Sequence, residues 1–130
     1  MPWHKLFAGV NCPADARNMS DLEKKHLPVI SAPDTIETGE CFEVTVEVGG
    51  LLSHPNENEH FIEFIDLYAD DIFLARADLT PITTCPTVRF NVSLAGEVSE
   101  LRAYSRCNLH GVWVAKAPIK VREHADVSSR

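Results

Sequence analysis

Apolar and polar residues alternate with a period of two along much of this chain. Phe42-Glu43-Val44-Thr45-Val46-Glu47-Val48 alternates cleanly and stops at Gly49-Gly50. Thr87–Leu94 places Val88, Phe90, Val92 and Leu94 on one face. Alternation of this kind predicts strands with one face buried. Phe61–Tyr68 is apolar on both faces, as a strand inside a sheet would be. Ile72–Leu79, Leu101–Arg106, Val112–Lys116, Ile119–Arg122 and a short piece at Val29–Ser31 complete a set of about seven strands, punctuated by Asp, Gly and Pro. No long helical period occurs. Ser20-Asp21-Leu22-Glu23 fits a capping box, predicting one helical turn before Lys24-Lys25-His26. Pro28 ends it, because the residue before a proline is pushed out of the α region. The pattern predicts an all-β, immunoglobulin-like β-sandwich, with a small barrel as the alternative. Residues 1–25 read as an irregular N-terminal segment, 26–122 as the sandwich, and 123–130 as a polar, flexible tail.

Composition narrows the class without changing the fold. At 130 residues the chain is one domain long, with 45% hydrophobic and 24% charged residues, ordinary for a globular protein. No run approaches eighteen apolar residues, and the N-terminus has no secretory apolar region, so a cytoplasmic protein without a membrane span is expected. A net charge of −7 argues against nucleic acid or an anionic membrane as partner. It also means that an anionic substrate would need a local cationic patch to approach. Of the four cysteines, Cys12, Cys41, Cys85 and Cys107, at least one is expected to be a metal ligand and none to need a disulfide. Cys41 and Cys85 read as small core residues, and Cys12 as an exposed thiol.

The chemistry lies in the histidines. His54 and His60 are six residues apart across a turn leading into a strand. Cys107 and His110 are three apart, a spacing that lets one tight turn chelate one ion, with Gly111 permitting the unusual backbone. His26, at the end of the helical turn, is a fifth candidate. Each fragment alone reads more simply as surface or hydrogen-bonded histidine. Together they offer up to four imidazoles and one thiolate. Structural zinc prefers four ligands, usually with more thiolate. Five mostly nitrogen ligands suit a square-pyramidal ion with one open position, and iron fits, although affinity alone excludes neither copper nor zinc.

The same residues carry a family resemblance. Lys25-His26-Leu27-Pro28-Val29-Ile30 resembles the Lys-His-x-Pro-x-Ile segment of superoxide reductases. His54-Pro55-Asn56 through His60-Phe61-Ile62 resembles their His-Pro-x4-His block, and Cys107-Asn108-Leu109-His110-Gly111-Val112-Trp113 their Cys-Asn-x-His-Gly-x-Trp block. Order and spacing agree over roughly residues 20–122, and without a rubredoxin-like four-cysteine domain upstream the chain resembles the one-iron class, also called neelaredoxin. The resemblance implies one mononuclear iron held by His26, His54, His60 and His110 in the equatorial plane, with Cys107 axial. It implies one-electron reduction of superoxide to hydrogen peroxide, re-reduction by rubredoxin or a similar donor, and a homo-oligomer, dimer or tetramer. A non-catalytic zinc- or copper-binding sandwich module is the competing reading, and visible absorption separates the two.

Lys25, before His26, is the catalytic candidate: the family carries a lysine here that attracts superoxide and assists protonation. A cation beside an open metal position also gives local focusing that a −7 protein otherwise lacks. One departure stands out. The family commonly has Glu-Lys-His, its glutamate taking the sixth position of oxidised iron. Here the run is Glu23-Lys24-Lys25-His26, with Lys24 where the glutamate is expected. Glu23 is thus a doubtful sixth ligand. The expectation is that Glu23 serves the capping box and that the sixth position holds water or stays empty. Trp113 reads as core packing, His4 and His124 as surface residues, and Asp70-Asp71 as an acidic loop without metal.

Overall fold

The computed structural model describes residues 9–123. The expectations for His4 and His124, and for nearly all of the tail, concern residues outside that range.

The described residues form one short helix and ten strands. They are β1 (Val10–Asn11), α1 (Asp21–His26), β2 (Val29–Ser31), β3 (Thr35–Glu37), β4 (Cys41–Glu47), β5 (Ile62–Ala69), β6 (Ile72–Asp78), β7 (Thr87–Ser93), β8 (Glu100–Cys107), β9 (Gly111–Pro118) and β10 (Lys120–Arg122). A five-stranded sheet runs β1-β9-β8-β5-β6, and a three-stranded sheet runs β2-β4-β7. β3 and β10 pair in parallel as a third, two-stranded sheet. The two larger sheets enclose one core. Val44, Val46, Phe90 and Val92 come from the smaller sheet, and Ile65, Leu67, Leu101, Ala103 and Cys107 from the larger. Burying each large aliphatic side chain contributes roughly 1.5–3 kcal/mol.

The strand readings follow the alternation closely. In β4 the side chains of Phe42, Val44 and Val46 are buried while those of Cys41, Glu43 and Glu47 are exposed. That pattern corrects one expectation. Cys41 is exposed, because the period of two places it on the solvent face with the glutamates. Cys85 is exposed too, in the connection from β6 to β7 rather than in a strand. Cys12 is an exposed thiol, as expected, and no disulfide forms among the described residues. β1 and β3 are short additions to the expected set. β1, in the segment expected to be irregular, pairs in parallel with β9, matching Val10 to Val112 and Asn11 to Trp113.

α1 forms as its capping box dictates. Glu23 N–H donates to Ser20 Oγ at 3.1 Å, and Ser20 N–H donates to a Glu23 carboxylate oxygen at 2.8 Å. Lys24, Lys25 and His26 occupy the last turn, where the helix dipole favours cations. Leu27 is extended and ends the helix before Pro28. The result delivers His26, only 1% exposed, onto the end of the sandwich.

Candidate metal centre

Three connections converge at one end of the sandwich. α1 supplies His26. The loop from β4 to β5 supplies His54 and His60. The end of β8 and the turn into β9 supply Cys107 and His110. Gly111 has φ +79°, a conformation that glycine adopts without the penalty a side chain would bring, and it closes the turn carrying the Cys-x-x-His pair.

The four imidazoles form a closed cycle. Neighbouring ring centroids lie 4.7 Å apart for His26–His54, 4.7 Å for His54–His60, 5.1 Å for His60–His110 and 4.8 Å for His110–His26. His26 and His60 face each other across the cycle at 6.3 Å. Donor atoms of His26, His60, Cys107 and His110 all lie within 4.8 Å of one another. Two donors bound across one ion stand about 4.2–4.6 Å apart, so this spacing is close to what one metal requires. His54 falls outside that tightest group, yet its ring sits against both His26 and His60. His110 Nδ1 lies 3.7 Å from Cys107 Sγ.

The hydrogen bonds fix which nitrogens face inward. His26 Nδ1 donates to Leu22 C=O at 2.7 Å, and His54 Nδ1 donates to Pro55 C=O at 2.6 Å. A carbonyl only accepts, so both Nδ1 atoms carry the proton and both Nε2 atoms keep a lone pair. Nε2 of His26, His54 and His60 are all buried and have no hydrogen-bond partner. Each buried orphan costs about 1–3 kcal/mol. Three of them aimed together make little sense for a purely structural cluster and fit a bound metal ion.

The electrostatics agree. Burial pushes the pKa of His26 below the ordinary histidine value, with further lowering from His110, His60 and Lys25. Burial lowers His54 to about 4 and also lowers His110. Burial thus holds His26, His54 and His110 toward the neutral form that a metal ligand must have. Burial raises the Cys107 thiol, while the backbone N–H groups of Leu109 and His110 pull it back down by stabilising the thiolate. A metal cation would complete that shift.

Around the cycle, Trp113 stacks on His26 at 5.2 Å and donates its indole N–H to His110 C=O at 3.1 Å. It thus packs, buried, against the site and joins the helix carrying His26 to the turn carrying His110. Ser105 Oγ donates to His26 C=O at 3.4 Å. The structure brings Lys25 close enough to depress both His26 and His110. Neither Lys24 nor Lys25 has a carboxylate partner among the described residues. The Glu23 carboxylate accepts from Ser20 N–H. Asp70 accepts from the backbone of Ser99 and Glu100, and Asp71 pairs with Arg102. Two asparagines were passed over in the sequence except as letters in a motif. Asn56 accepts from Ile82 N–H and donates to Thr84 C=O, and Asn108 bridges the loops that carry His60 and His110. The available signal was an amide, both donor and acceptor, set inside each ligand block.

A family model described as Desulfoferrodoxin matches residues 18–116. A putative superoxide reductase from Methanocaldococcus jannaschii is 43% identical over 110 residues, covering 82% of this chain and 90% of the relative. A solved superoxide reductase (neelaredoxin) from Ignicoccus hospitalis superposes with a TM-score of 0.75 at 34% identity, over 87% of this chain and 95% of that one. A putative superoxide reductase structure from Thermotoga maritima gives a TM-score of 0.71 at 30% identity, covering 80% and 92%. The chain belongs to the desulfoferrodoxin family.

Proposed function

We propose that this chain is a superoxide reductase, catalysing the reaction in which superoxide, one electron and two protons give hydrogen peroxide. The observation that carries the reading is the closed cycle of four imidazoles beside a buried thiol, three of them with a buried, unpartnered Nε2. His26, His54, His60 and His110 would hold the ion with neutral nitrogen, and Cys107 with thiolate sulfur. Iron, when bound there, supplies the single electron.

The remaining work falls to the chain. The backbone N–H groups of Leu109 and His110 stabilise charge on Cys107 sulfur. The Nδ1 donations of His26 and His54 hold those rings in the tautomer that presents Nε2 inward. Trp113 covers one face of His26 and limits its rotation. Lys25 places an ammonium beside the ligand cycle, drawing an anion toward a protein whose net charge of −7 otherwise repels it. The same ammonium can donate hydrogen bonds to the superoxide anion and supply a proton. Glu23 keeps its capping role and is not among the residues that would hold the ion.

No described helix is long and apolar enough to cross a membrane. The reading extends to a cytoplasmic homo-oligomer, dimer or tetramer, re-reduced by rubredoxin or a similar small redox protein. Metal analysis with optical spectra of the oxidised and reduced protein tests the centre: iron with a thiolate charge-transfer band is expected. A colourless zinc protein without superoxide-reducing activity would overturn the proposal in favour of the structural module.

A further inference from the structure

The four imidazoles are not anchored alike. His26 and His54 each spend their outer nitrogen on a backbone carbonyl. His110 is tied through its own carbonyl to the Trp113 indole. The His60 ring has no hydrogen bond among the described residues, and its Nε2 is one of the buried orphans. The orientation of its ring is therefore set by its backbone and by packing against the His54 and His110 rings, without a hydrogen bond of its own.

That backbone is held by one side chain from another loop. Asn108 Oδ1 accepts from Phe61 N–H at 2.9 Å, and Asn108 Nδ2 donates to Glu59 C=O at 2.9 Å. The two partners are the residues immediately before and after His60. Asn108 N–H also donates to Phe61 C=O at 3.2 Å. On the other side, a reciprocal pair of hydrogen bonds joins Glu57 and His60 backbones at 2.9 and 3.1 Å. Asn108 itself follows Cys107 directly and lies two residues before His110. Its amide thus couples the position of His60 to the turn bearing two other candidate ligands.

We propose that Asn108 is a positioning residue for His60, taking the place of the outer-nitrogen hydrogen bond that His60 lacks. Only a carboxamide meets this need in full. One end must accept from an N–H and the other donate to a C=O, across the two peptide groups that flank the ligand. An aspartate keeps the first bond and loses the second; an alanine loses both. The inference rests on the reading of His60 as a metal ligand. Loss of a group that orients a ligand typically costs 10–100-fold in metal affinity.

The test is a double-mutant cycle on the full, iron-loaded chain, following release of iron(II) to excess chelator. Asn108→Ala is expected to speed release about 10–100-fold, with Asn108→Asp intermediate. In a His60→Ala background, adding Asn108→Ala should change release less than about twofold, because the ligand it serves is gone. An equal acceleration in both backgrounds would mean a general structural role and overturn the proposal, as would unaltered release from Asn108→Ala. If His60→Ala alone leaves iron release unchanged, the reading of His60 as ligand fails first, and that outcome is distinct from the others. Should Asn108→Ala not fold, the same comparison is made with Asn108→Asp, which retains the Phe61 bond.

Discussion

Burial holds His26, His54 and His110 toward the neutral form, which makes the metal-free site sensitive to acid, and His54 allows the effect to be sized. Its pKa is lowered to about 4 by burial, against 6.5 for an exposed histidine, and only 8% of the residue is exposed. At pH 7 the side chain is neutral in both folded and unfolded chains, so it contributes no pH dependence. As the pH falls from about 6.5 toward 4, the unfolded chain binds a proton that the folded chain refuses. The unfolded state then holds more protons, so stability falls with pH, and the loss levels off below the folded pKa. Between pH 7 and pH 4.5 this amounts to about 2.5 kcal/mol from His54 alone. His26 and His110 are lowered too and add in the same direction. Urea denaturation of the chelator-treated protein at the two pH values measures the loss. A His54→Asn variant provides the comparison, because carboxylates titrate alike in both proteins and cancel. The variant should lose about 2.5 kcal/mol less on acidification. An identical loss in wild type and variant would refute the reasoning. Iron-loaded protein should resist until protons displace the metal.

Three further outcomes follow from the site. Lys25→Ala should slow the second-order reaction with superoxide about tenfold while iron content stays unchanged; pulse radiolysis showing wild-type rates would remove Lys25 from the mechanism. Glu23→Ala breaks the reciprocal cap with Ser20, so it should cost about 0.5–1 kcal/mol in thermal unfolding and leave the oxidised optical spectrum unaltered. A shifted spectrum would instead make Glu23 a ligand. Gly111→Ala forces a side chain into φ +79°, which costs about 1–2 kcal/mol and moves the Cys107–His110 turn. A lower melting temperature with faster iron loss to chelator is expected, and an unchanged melting temperature would show that the turn relaxes freely.

Much of this protein is written along the chain. The period of two in Phe42–Val48 and Thr87–Leu94 is a local property of extended backbone, so it marked strands and their buried faces directly. The capping box at Ser20–Glu23 is likewise local, and it formed. The three ligand blocks were legible because each ties ligand residue types to a short, fixed spacing. The sequence by itself therefore determined the fold class, the helical turn before His26 and the set of residues able to hold a metal. Tertiary structure decided what depends on contacts between distant segments. β1 exists because β9 lies beside it. Cys85 is outside the core because its connection runs over the surface. Trp113 serves His26 because the fold brings the end of α1 and β9 into ring contact, and the three orphaned nitrogens come together only when three connections converge. Asn108 reaches both sides of His60 across 49 and 47 positions of sequence separation. No local pattern encodes such a bridge, because its energy arises only after β5 and β8 have paired.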